Sequence, residues 1–205
     1  MAEPLSDLLD RIRACRHCAG RFAATVSGHA PNPVLRASAT ATICVAGQAP
    51  GIRVHASGKP FTDPSGVRLR AWMGVDEATF YDVARIAILP MAFCFPGHDS
   101  RRADLPPPKD CARLWREPLF AALPDLRLVL LVGKAAQDWH LGGRESMTER
   151  VRNWTDTPLS ECGIEYVPLP HPSWRNNAWL KANPWFESET LPRLRAALSR
   201  HLPSP

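Results

Sequence analysis

The sequence predicts an α/β protein, a three-layer α/β/α sandwich with a central four-stranded parallel sheet. Three observations carry that expectation. The short apolar runs "ATICVAG", "RIAILP", "LRLVLLVG" and "GIEYVPLP" each end on Gly or Pro, as strands buried on both faces do. Segments with helical spacing separate these runs, and strands alternating with helices favour a parallel sheet covered on both sides. The chain has 205 residues, 45% of them hydrophobic and 22% charged, which suits a single domain over 1–205 with a sizeable core.

Taken in order, "PLSDLLDRIRAC" places apolar residues at helical spacing after a Ser, so a first helix is expected over residues 5–14. A Pro-rich and polar connection follows over residues 19–40, and "ATICVAG" is then the first strand. "SGVRLRAWMGV" and "DEATFYDVA" have helical spacing, and "RIAILP" is the second strand. "SRRADLPPPKD" is a turn-rich excursion leading into the helical "CARLWREPLFAAL". "LRLVLLVG" is the third strand, with "KAAQDWHL" as the helix after it. "GIEYVPLP" is the fourth strand, and "SETLPRLRAALSRHL" is a closing amphipathic helix.

In such a sheet, ligands sit at the carboxyl ends of the strands. That rule gathers "GQAPG", "PMAFCFPG", "GKAA" and "HPSWRN" on one edge. The N-terminal stretch carries acids and no long apolar run, unlike a signal peptide, and the longest apolar run is too short to cross a bilayer. A cytoplasmic protein with no membrane partner is expected.

The formal charge is +5, and only Lys59, Lys109, Lys134 and Lys181 among the 25 basic residues are Lys. Arg is the better bidentate phosphate ligand. A basic, Arg-rich balance permits a polyanionic partner without requiring one, and a coding bias toward Arg, Ala, Pro and Gly accounts for it equally well.

Six cysteines are present. Cys44 and Cys162 fall in apolar runs and read as inert core residues. Cys15 and Cys18 form a C-x2-C pair, while Cys94 and Cys111 flank the Pro-rich excursion with sixteen residues between them. Four thiols outside apolar strands favour a metal site over disulfides in a cytosolic protein. By spacing alone an iron–sulfur cluster, zinc and unrelated cysteines all remain open.

"GQAPGIRVHASGKPFTDPSGVRLRAW" is no Walker loop, and it lacks G-x-G-x-x-G. Combined with "HPS" and the four cysteines, it resembles the uracil-DNA glycosylase superfamily, in particular its iron–sulfur branches. The first motif of that family is matched by Gly47, Ala49, Pro50, Gly58, Pro60, Phe61, Ser65 and Gly66, and the second by His171, Pro172 and Ser173. The resemblance implies a single uracil-DNA glycosylase-like domain that excises uracil or a related deaminated base from DNA by base flipping. It implies a 4Fe-4S cluster on Cys15, Cys18, Cys94 and Cys111, with zinc as the alternative, DNA as the partner, and a monomer.

The same resemblance implies roles for the site. His171 is the donor to the charge growing on the base, Phe61 the stacking face, and the backbone at Gln48 and Ala49 the pocket lining. Ser65, Lys134, Ser173 and Arg175 are the phosphate contacts, and Trp174 with Arg175 is the wedge. The first motif is atypical: where relatives carry an acid, this chain has Gln48 or Ala49. Asp63 in "FTDPSG" is therefore the candidate to orient water, or else a turn residue that caps the next helix. Several relatives also read the base with an Asn where Pro90 stands here. The alternative function is a non-catalytic or slow binder of damaged DNA or abasic sites. Trp179, Trp185 and Phe186 read as packing for the last helix, and His98, Arg101 and Arg102 as a solvated loop.

Overall fold

A computed structural model describes residues 3–156, 159–160 and 162–202. Helix α1 (Leu5–Arg13) buries Leu8, Leu9 and Ile12 as one stripe, with Asp7 in its first turn and Arg11 and Arg13 in its last, each of a sign that offsets the helix dipole. Strand β1 (Ile43–Ala46) is buried throughout, as are β2 (Ile86–Ile88) and β3 (Leu128–Val132); β4 (Glu165–Leu169) is buried only in its last three residues. All pairings are parallel and the order is β2-β1-β3-β4. Ile43 aligns with both Ile86 and Leu128, and Leu128 with Glu165.

Alternation along β1 divides the core. Ile43 and Val45 pack with Leu69 and Trp72 of α4 (Pro64–Met73), Phe80 of α5 (Glu77–Tyr81) and Leu194 of α10 (Leu191–Ser199). Cys44 and Ala46 face the other layer, with Leu8 and Ile12 of α1, Leu119 of α6 (Lys109–Ala121) and Ala136 of α7 (Lys134–Leu141). Those two helical layers make the expected three-layer sandwich.

The differences from expectation lie in short elements. The 19–40 connection contains α2 (Ala19–Ala23), anchored by buried Phe22, and the Gly-rich turn contains α3 (Ile52–Ser57). Helices of five or six residues complete too few turns to show a 3.6-residue period. Helix α8 (Met147–Arg152) carried a legible signal, a capping box in which Ser146 and Glu149 bond reciprocally. Helix α9 (Asn177–Ala182) falls inside the "HPSWRNNAWLKANPWF" stretch. The closing helix starts late because Phe186–Thr190 forms a π-turn, which buries Phe186 fully. Cys162 is exposed just ahead of β4, not buried in it as the apolar run implied.

One contact fixes the turn that leads into α4. Phe61 is left-handed at φ 55, and a Cβ on Gly66 would overlap its carbonyl oxygen. Gly66→Ala is therefore expected to lower stability by roughly 1–3 kcal/mol, as overpacking does, through displacement of Phe61. Chemical denaturation with an unchanged m-value checks it.

Candidate active site

The chain order of the strands reverses between β1 and β3, and the sheet edge there carries the site. The loop after β1 and the loop after β3 meet directly: Gly133 has φ 86, and a Cβ there would lie 2.6 Å from the Gln48 side-chain nitrogen. The segment after β2 is tied to the same loop, with Met91 N–H donating to Gly47 O at 2.9 Å and Ala92 N–H to Gln48 O at 3.0 Å.

These loops form a cavity lined by Gly47, Gln48, Ala49, Phe61, Asp63, Ser65, Pro90 and His171. Phe61 lies against Gly47, where a Cβ would come 3.3 Å from the ring, and meets Phe80 edge-on at 5.9 Å. Its backbone is held by Tyr81 Oη, which donates to Pro60 O at 2.7 Å and Phe61 O at 3.1 Å, and by Arg70, at 3.4 Å from Phe61 O. Asp63 is the N-cap of α4, with Oδ1 accepting from Gly66 N–H at 3.3 Å. Asp63 therefore caps α4 and also lines the cavity.

His171 follows β4. The Ser173 N–H donates to its Nδ1 at 3.2 Å, so in the neutral ring the proton sits on Nε2. Burial holds this imidazole below its usual pKa; Asp63 and Asp104 pull the other way, and Arg175 adds to the lowering. A largely neutral donor results. The turn is fixed from two sides: Asn176 donates to His171 O at 2.7 Å, and Arg68 of α4 donates to Ser173 O at 3.3 Å and to Asn177 Oδ1 at 2.9 Å.

Comparison with known families decides what this edge belongs to. Residues 36–195 match the family model for the uracil DNA glycosylase superfamily, which covers more than half of the chain. The chain belongs to the uracil DNA glycosylase superfamily. Members of that superfamily are DNA glycosylases, hydrolases of N-glycosyl bonds that act on deaminated bases in DNA. Among the described residues no helix is long and apolar enough to cross a membrane.

Around this cavity runs an outer groove lined by Ser65, Ser173, Trp174 and Arg175. Trp174 is 74% exposed, in a one-turn 3-10 helix spanning Trp174–Asn176. Ser65 is buried at the cavity wall. Lys134 is placed at the head of α7, but its ammonium pairs with Asp138 at 2.5 Å and it lines neither the cavity nor the groove. Trp179 and Trp185 pack against the core around Phe186. His98 is not a free loop residue; its Nε2 lies 3.2 Å from Asp104 Oδ1. Asp104, which the sequence left unremarked, lines both the cavity and the groove.

Cys15, Cys18, Cys94 and Cys111 line a second pocket, walled by Ile12, Phe22, Phe93 and Trp115. Burial, with a smaller contribution from neighbouring thiols, pushes the Cys94 thiol up to about 12 and Cys111 up to about 11, and burial also raises Cys18. Phe93 N–H is directed at Cys111 Sγ at 3.4 Å. Buried Arg116 lies nearby; its guanidinium donates to Leu89 O and Met91 Sδ rather than to a carboxylate. Four thiols, a sulfur-directed N–H and an uncompensated buried cation fit a thiolate-held, anionic group.

Trp174→Ala is expected to leave thermal unfolding unchanged while weakening DNA binding by about 1–3 kcal/mol, the scale of one lost stack. Fluorescence anisotropy on a duplex with an abasic site checks it, with Lys134→Ala predicted to matter less.

Proposed function

We propose that this glycosylase hydrolyses the N-glycosidic bond of uracil or a closely related deaminated base after flipping it from DNA. The observation that carries the reading is the single cavity that joins Phe61, the Gln48–Ala49 backbone, Asp63 and His171 beneath an exposed Trp174. A base stacked on Phe61 meets the His171 Nε2–H donor as negative charge grows on it, in the manner of an oxyanion hole. Trp174 and Arg175 fill the gap left in the duplex, while Ser65 and Ser173 hold phosphates. Pro90 offers no side-chain hydrogen bond at the wall, so backbone groups and the Gln48 amide read the base edge.

Excision assays on oligonucleotides carrying uracil, hypoxanthine or xanthine test this reading. His171→Ala is expected to slow excision by about 10²–10³-fold, the usual cost of one such donor. If no base is released while abasic DNA is held tightly, the protein is a damage-binding module instead, and the altered first motif marks lost catalysis.

For Cys15, Cys18, Cys94 and Cys111 we propose a structural 4Fe-4S cluster, which places this chain in an iron–sulfur branch of the family. Its support is that the four thiols line one apolar pocket, with buried Arg116 close to Cys111. When bound, the group would supply cross-linking between the C-x2-C turn and the Pro-rich excursion. Protein purified without oxygen is expected to be brown, with four irons per chain, and Cys111→Ala to lose both colour and thermal stability. A colourless protein with one zinc per chain would replace the cluster by the zinc alternative.

A further inference from the structure

Asp104 lies in neither sequence motif, yet it shares the neck of the cavity with Asp63 and His171, at the junction of inner cavity and outer groove. The residues confined to the inner cavity, such as Gly47, Phe61, Ile88 and Pro90, suit a flat base. Those at the junction stand where the sugar of a flipped nucleotide must pass. The segment carrying Asp104 is a closed hairpin: Leu105 N–H donates to Gly97 O at 2.9 Å, and Asp99 N–H to Ala103 O at 2.9 Å. Asp99 Oδ1 accepts from the Arg101 and Ala103 N–H groups, at 2.8 and 2.9 Å. His98 stacks edge-on to Phe95 at 4.9 Å and places Nε2 3.2 Å from Asp104 Oδ1. Asp63, by contrast, has Oδ1 engaged in capping α4.

We propose that Asp104 is a catalytic carboxylate of this site, positioned by His98, and that it accepts the proton of the attacking water. The assignment rests on the glycosylase reading above. In the step, the C1′–N bond breaks and its electron pair leaves on the base, whose charge His171 stabilises. A water oxygen bonds to C1′, one water proton passes to Asp104, and the base anion takes a proton from solvent, so that water is added across the bond. Such a role supplies the acid that Gln48 and Ala49 do not. The Asp104 side chain is 51% accessible, so a nucleotide that fills the neck covers it.

The test is single-turnover excision by the full chain on the base that the wild type removes, with Asp104→Asn, Asp63→Asn, His98→Ala and His98→Gln beside it. Asp104→Asn is expected to slow the chemical step on the order of 10²–10⁴-fold, with abasic-DNA affinity held within a few-fold. His98→Ala should lower kcat by roughly 10–100-fold at unchanged KM, and His98→Gln, which keeps a donor, should recover most of it. An active wild type whose Asp104→Asn variant keeps its rate, or loses only DNA affinity, overturns this assignment alone. A wild type that excises none of the bases removes the glycosylase reading and this assignment together.

Discussion

The carbonyl oxygen of Phe61 occupies the space in which a side chain at residue 66 would begin, and most of the site is arranged around that contact. A bulky residue at φ 55 stores strain, about 1–3 kcal/mol for such conformations, and needs neighbours that over-determine it. Tyr81 and Arg70 provide them by donating to the same carbonyl, and Gly66 provides the room. Phe61 thereby faces Gly47, and two residues later the chain is directed so that Asp63 caps α4. The floor of the base pocket, the start of a helix and the place of one carboxylate are set together. Because Tyr81 and Arg70 belong to the layer packed on β2, the pocket inherits its rigidity from the core.

Much of this was legible because the four strands are covered on both faces, so that runs such as Leu128–Val132 are apolar without alternation. The motif residues were legible too: Gln48, Ala49, Phe61, Asp63, Ser65 and His171 share one cavity. What escaped depends on packing over long sequence distances. Asp104 reaches the neck only because the hairpin after Cys94 folds back, and no local period encodes that. The strand-end rule placed the loop after β3 correctly, yet the useful contact is Gly133 against Gln48, while Lys134 bonds within its own helix.

The cysteine pocket and the catalytic edge are not separate regions. Phe22, on the pocket wall, stacks on His29 at 5.1 Å, and His29 packs on Phe95 at 4.9 Å. His29 Nε2 also lies 2.9 Å from Phe95 O, and Ser27 Oγ accepts from His98 N–H at 3.2 Å. A run of stacked rings and short hydrogen bonds therefore joins the segment after the C-x2-C pair to the hairpin that carries Asp104. Those contacts tie the cysteine pocket to the hairpin that carries Asp104.

The Ser173 amide that points at His171 Nδ1 has a consequence for selectivity. With that nitrogen engaged as an acceptor, the ring offers the cavity an N–H and no lone pair. An exocyclic amine turned toward it meets donor against donor, whereas a carbonyl oxygen is welcomed. Deamination exchanges one for the other. A two-residue backbone turn thus fixes the polarity that the His171 ring presents.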